Sequence, residues 1–155
     1  MRNAEAERFV REVWAVFQRD GVAGVLELAL PDARWRPHSA HGHRFESTDE
    51  YRAELERLTD QGERVEAQAL GLWSHDDVVL VRGRMRVRGR RGLLEDTRMY
   101  WLFGVRGDRL AQVFSSPDLA GLLREAGYDD PVLAREAFIA LYRDADPAIT
   151  DGGTA

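Results

Sequence analysis

The sequence predicts an α+β fold, with helices packed on one face of a curved antiparallel sheet and further helices at the C-terminal end. Three observations predict it. Apolar residues in the first twenty positions recur with a helical period; from Glu63 to about Ser115 the period drops to two; after Ser115 helix start and stop signals return. Helices, a long meander and helices again is the order of an α+β domain, and 155 residues suit one core.

Phe9, Val10, Val13, Trp14 and Phe17 make the buried stripe of a first helix over Asn3 to Asp20, stopped by Gly21. A short second apolar helix follows from Val22 to Ala29, and Pro31-Asp32 turns the chain into an extended stretch around Trp35. A histidine-rich loop comes next. It ends in Ser47-Thr48-Asp49-Glu50, a Ser-x-x-Glu capping box that predicts a helix to Gln61, with Gly62 beyond its end. Three turn signals, Ser74-His75-Asp76-Asp77, Gly89-Arg90-Arg91-Gly92 and Arg106-Gly107-Asp108, divide the following region into four strands. Such short connections make neighbouring strands antiparallel. In the second strand Val79, Val81, Gly83, Met85 and Val87 alternate with Arg82, Arg84, Arg86 and Arg88, so one face belongs to a core and the other points outward. In the third, Met99, Trp101, Phe103 and Val105 share a face. Ser116-Pro117 starts a helix that Gly127 ends, and Asp130-Pro131 starts a last helix reaching about Arg143. One unit over 1–143 is expected, its core at about 4–127, with 144–155 as a loose tail.

Composition removes several kinds of chemistry. Cysteine is absent, which excludes disulfides, thiolate nucleophiles and Cys-based metal sites; lysine is also absent, which excludes Schiff-base catalysis. Groups left for chemistry are His, carboxylate, Tyr, Arg and hydroxyl. The net charge of −5 gives no overall attraction for nucleic acid or anionic membrane. No apolar run approaches the roughly 20 residues that span a bilayer, and the chain opens on an amphipathic helix pattern rather than a leader. A cytoplasmic location is expected.

Several stretches together resemble the SnoaL-like branch of the nuclear transport factor 2-like superfamily. They are Asp20-Gly21 at the end of the first helix, Pro31-Asp32-Ala33-x-Trp35-x-Pro37, and Phe45-x-Ser47-x-Asp49-Glu50. The later ones are Trp101-x-Phe103-x-Val105 before a Gly-Asp-Arg-Leu turn, and Ser116-Pro117-Asp118-x-Ala120 running to Ala126-Gly127. The resemblance covers about Ala4 to Gly127 and implies a cone of helices and a strongly bent sheet around a cavity. It also implies the family's range of activities, among them polyketide cyclases, ketosteroid isomerases, dehydratases and members without a known reaction. Its enzymes place a carboxylate, Tyr or His in an apolar cavity, where burial tunes proton transfer. The strand position where relatives often carry an Asp holds Trp101, the isomerase-type Tyr position falls at or near Trp14, and the interval of the isomerase-type Asp base, Arg36 to His38, offers only His38 as a base.

His38 is therefore the expected catalytic acid or base, since imidazole titrates near neutrality, and Tyr51 the expected hydroxyl donor. Trp14, Trp35, Trp73, Trp101 and Phe103 are expected to line a pocket for a hydrophobic or polycyclic small molecule, with Met85 and Met99 as a deformable wall. The cluster His38-x-x-His41-x-His43 with Glu46 has a spacing like a cupin metal motif. A cupin needs a second His-bearing motif on a later strand, and the remaining His75 lies in a turn; no metal and no organic cofactor are expected, with His41 and His43 in water. The arginine stripe reads as a solvated outer face or one ion-paired across a homodimer, the interface the resemblance implies, and not as a nucleic-acid site. Glu95, Asp96 and Asp108 read as turn or surface acids. The functional expectation is a small-molecule-binding protein, acting as a cofactor-independent cyclase, isomerase or dehydratase of bacterial specialised metabolism by proton transfer; the alternative is a non-catalytic ligand-binding or dimerisation module. The last helix is expected to cap the pocket or dock on a partner subunit.

Overall fold

A computed structural model describes residues 1–38, 42–60 and 62–143. Helix α1 (Ala4–Leu26) starts where Asn3 accepts a hydrogen bond from the Ala6 amide at 3.0 Å. Gly21 interrupts it with φ 73° and ψ −168°, a conformation open to glycine, and the short apolar piece beyond runs only to Leu26. It stops before Ala29 because Ala29 already belongs to strand β1 (Ala29–Arg36). Pro31 and Asp32 do not turn the chain. They sit exposed in an irregularity of β1 between Ala29 and Arg34, and a proline is tolerated there because β1 is an edge strand. Helix α2 (Thr48–Asp60) opens on the expected capping residues: Ser47 Oγ accepts from the Glu50 amide at 3.1 Å, and Glu50 reaches back to the Glu46 amide at 2.9 Å. The end expected at Gln61 lies outside the described residues.

Strands β2 (Arg64–His75), β3 (Val78–Gly89), β4 (Gly92–Arg106) and β5 (Arg109–Ser116) form the antiparallel meander, joined at the three turn signals. The sheet order is β1-β5-β4-β3-β2, and β1 pairs with β5 in parallel, so the sheet is mixed rather than wholly antiparallel. Helix α3 (Leu119–Glu125) starts later than Ser116-Pro117 predicts, with Asp118 at the cap position and Gly127 past its end at φ +97°. Helix α4 (Pro131–Arg143) begins where Asp130 Oδ1 accepts from the Val132 amide at 2.9 Å.

The sheet separates two cores. Its inner face packs α1 and α2 against Val79, Val81, Phe103 and Leu110; its outer face packs α3 and α4 against Leu80, Leu102 and Phe114. A bulge at Leu70 decides which side of β2 faces which core. Ala69 pairs with Gly83 but Gly71 pairs with Arg82, so the alternation slips by one residue, Leu72 turns inward and Trp73 outward. The expectation that Trp73 lines the pocket is thereby overturned: it is buried on the outer face beside Leu80, Leu133, Ala137 and Leu141.

Helix α4 likewise does not cap the pocket. It lies on the outer face, where Arg82 Nε donates to the Leu141 carbonyl at 2.8 Å, the Arg82 guanidinium stands 4.4 Å over the Tyr142 ring, and the Tyr100 and Tyr142 hydroxyls meet at 2.5 Å. The other outward arginines also have partners within the chain, Arg84 and Arg86 with Asp96 and Arg88 with Glu66.

Candidate functional site

Between α1, α2 and the inner sheet face lies a cavity of about 100 Å³. Trp14, Trp35, Tyr51, Met85, Trp101 and Phe103 all border it, and Pro37 and Ser115 complete the edge below β1. Met99 points to the same side but stops short of it, buried against Met85, Val87 and Trp101. Alternation put these residues on one face; the tilt of the rings decides how much space remains. Trp14 meets Trp101 edge-on at 5.0 Å between ring centroids and Phe103 at 6.3 Å, so three large rings occupy most of the interior. Trp101 can lie where it does because Gly83 faces it: a Cβ there would stand 3.1 Å from Trp101 Cζ3.

No charged side chain borders the cavity among the described residues, and its polar groups are all neutral. Trp35 Nε1 donates to Thr48 Oγ1 at 3.2 Å, and that hydroxyl donates to the Leu30 carbonyl at 2.6 Å, which satisfies both. Trp14 Nε1 is buried with no acceptor among the described residues. An unmatched buried N–H costs about 1–3 kcal/mol. The Tyr51 ring lies tilted against Trp35, at 4.8 Å between centroids, and against Phe45, at 5.4 Å. Burial, and behind it the nearby Glu54 carboxylate, hold its phenol well above the ordinary tyrosine range. Ser115 Oγ accepts from the His38 amide at 2.9 Å, which leaves its own proton to donate.

His38 stands at the cavity's edge rather than on its wall. Its chain neighbour Pro37 and its partner Ser115 line the cavity, while its half-buried imidazole turns to Glu95, Nε2 to Oε1 at 3.2 Å. The loop is held there because Phe45 returns to β1 and exchanges two backbone hydrogen bonds with Trp35, at 2.9 and 2.7 Å. Glu95 is therefore not a mere turn acid. It lies on the inner face of β4, opposite Val87, at even spacing from Trp101 and Phe103, and that parity was the signal that could have found it.

Of the other histidines, His43 packs edge-on to Phe45 at 4.7 Å, and His41 lies outside the described residues. Among the described residues no group of three or more His, Asp or Glu side chains is placed to hold a metal ion, and no helix is long and apolar enough to cross a membrane.

Helices closing a bent five-stranded sheet over an apolar cavity define the nuclear transport factor 2-like cone. The SnoaL-like domain profile matches residues 10–113, and the chain belongs to that family. No curated protein matches the sequence. Among solved structures the chain is similar to an NTF2-like protein of unknown function from Burkholderia pseudomallei, at TM-score 0.61 and 21% identity over 77% of this chain and 95% of that one. A putative polyketide cyclase from Xanthomonas campestris aligns at TM-score 0.60 and 14% identity, over 79% and 96%. TerC co-crystallised with polyporic acid aligns at 0.59 and 16%, over 77% and 95%. At these identities the likeness shows the fold, and activity must be argued from the site.

Proposed function

We propose that the chain binds a small apolar molecule with a carbonyl or phenolic oxygen in this cavity, and that it moves a proton on that molecule without metal or organic cofactor. The observation that carries the reading is the contrast between a wall whose polar groups are all neutral and an imidazole–carboxylate pair at its edge. Trp14, Tyr51 and Ser115 can each offer an N–H or O–H, and donors in a water-poor site stabilise the oxyanion formed when a carbon beside the carbonyl loses a proton. His38 receives that proton and returns it to another atom of the same molecule, while Glu95 orients the ring and offsets its charge. The step is an isomerisation in which no atom is gained or lost. Cyclisation or loss of water would use the same first proton transfer, and the structural likeness to a putative polyketide cyclase from Xanthomonas campestris supports that class of reaction.

A non-catalytic binding module is the second reading, and the cavity volume favours it. About 100 Å³ is well below the roughly 300–1,000 Å³ of most ligand pockets and below the ~150 Å³ of an engineered apolar cavity that takes up benzene. A single ring fits only with slight movement of the wall. Deuterium exchange into 2-cyclohexenone in D2O, followed by NMR, separates the two readings. The proton-transfer reading expects acceleration that falls about 100-fold or more in His38→Ala and less in Glu95→Gln. Binding of the enone without any acceleration would leave only the binding module, and full rate in His38→Ala would remove His38 from the mechanism.

A further inference from the structure

A second and larger space adjoins the cavity. A cleft of about 620 Å³ opens between the Gly21 break of α1, helix α2 and the ends of β2 and β3. Val22, Leu55, Leu58 and Val65 border both spaces, so the partition between them consists of four aliphatic side chains. Three of the four stand on pieces with a break nearby: Val22 directly follows Gly21, while Leu58 and Val65 flank the α2–β2 turn at Gly62, where φ is +77°. Aliphatic rotamers exchange readily at a half-exposed surface, whereas the ring-packed opposite wall cannot yield without losing its edge-to-face contacts.

The two spaces differ in chemistry. The inner one has no charge, and the cleft carries the carboxylates Asp20, Glu27, Glu56 and Glu63 against the guanidiniums Arg52 and Arg64. Arg52 is already engaged by Asp49 and lies 4.0 Å from Glu27.

We propose that cavity and cleft are two halves of one binding site whose ligand is amphipathic: a single apolar ring seated among Trp14, Trp101 and Phe103, and a tail bearing a protonated amine that runs past Leu58 into the acidic cleft. The proposal rests on the binding reading above and adds the shape and charge of what binds. It also accounts for the small inner volume, because only the ring must fit there. Among the described residues Asp20 is paired with Arg19 and Glu27 faces Arg52, so a carboxylate or phosphate tail would meet Glu56 and Glu63 against the Arg64 guanidinium, and is disfavoured on that ground.

The test compares three probes by calorimetry on the full chain: phenol as ring alone, tyramine as ring with an ammonium tail, and 4-hydroxyphenylacetate as ring with an anionic tail. Tyramine should bind about fivefold tighter than phenol, as one partly solvated ion pair allows, and 4-hydroxyphenylacetate no tighter than phenol. The double variant Glu56→Gln/Glu63→Gln, at the chain's surface, should remove the tyramine gain, and Leu58→Trp should block both tailed probes. Equal affinity for all three probes would overturn the two-compartment site and leave the cavity reading standing; so would a tyramine gain that survives the double variant. Failure of phenol itself to bind would overturn the cavity reading and this proposal together.

Discussion

Gly83→Ala is the change that most directly tests how the inner wall is built. A Cβ at Gly83 would stand 1.8 Å from the Gln68 carbonyl oxygen and 2.9 Å from its carbon, besides its close approach to Trp101. Carbon and carbonyl oxygen come to rest at about 3.3–3.6 Å, so the two backbones must part by more than ~1.5 Å. Neither can rotate away, because Ala69 and Gly83 are paired in the ladder beside the bulge. Overpacking with one methyl commonly costs about 1–3 kcal/mol, and backbone against backbone belongs at the upper end or beyond. For a chain of this size ~3 kcal/mol corresponds to a Tm lower by about 6–12 °C. Thermal unfolding by far-UV circular dichroism reads that shift, and the near-UV signal of Trp101 reads the disturbance of its seat. A Tm within ~2 °C of the parent with an unchanged near-UV spectrum would refute both the close approach and the idea that it positions the ring.

Alkaline stability should report Tyr51. Its folded-state phenol is held above the ordinary value of 10.0, so the unfolded chain releases a proton that the folded chain keeps; stability is complete below about pH 10 and falls as pH rises beyond it, by ~1.4 kcal/mol per unit. Tyr100, pushed up to about 12 by burial and then by the Tyr142 hydroxyl, adds to the loss between 10 and 12. Urea midpoints measured from pH 8 to 11 should fall less steeply in Tyr51→Phe, and an unchanged slope would mean that the phenol is not buried. Truncation after Asp129 removes α4 and uncovers Trp73 and Leu80 on β2 and β3, which should lower the urea midpoint severely or abolish folding; a truncated chain as stable as the parent would refute the packing of α4 on the sheet.

Much of the fold was legible because its signals are local. Ser47 and Glu50 cap α2 from within four residues, Gly21 breaks α1 at its own φ, and the three turns sit on their glycines and aspartates. The aromatic wall was legible for the same reason, since alternation on β4 puts Trp101 and Phe103 on one face whatever lies opposite. The failures have a common cause. Trp73 departs from the simple alternation because one extra residue at Leu70 reverses it, and nothing in the identity of a leucine announces a bulge. β1 looks locally like a turn followed by a short extended stretch because its partner β5 lies far along the chain, and parallel pairing leaves no local mark.

By itself, then, the sequence determined the four-strand meander with helices before and after it, the absence of thiol and lysine chemistry, and the aromatic character of one sheet face. Tertiary structure alone decided that His38 has an acidic partner in Glu95, that α4 covers the outer face, and that the rings leave about 100 Å³ beside a charged cleft. The physical reason is range. Caps, turns and alternation are settled by neighbours within a few residues, whereas an ion pair between positions 38 and 95, or the space left between four packed elements, exists only after the sheet has bent and the helices have closed on it.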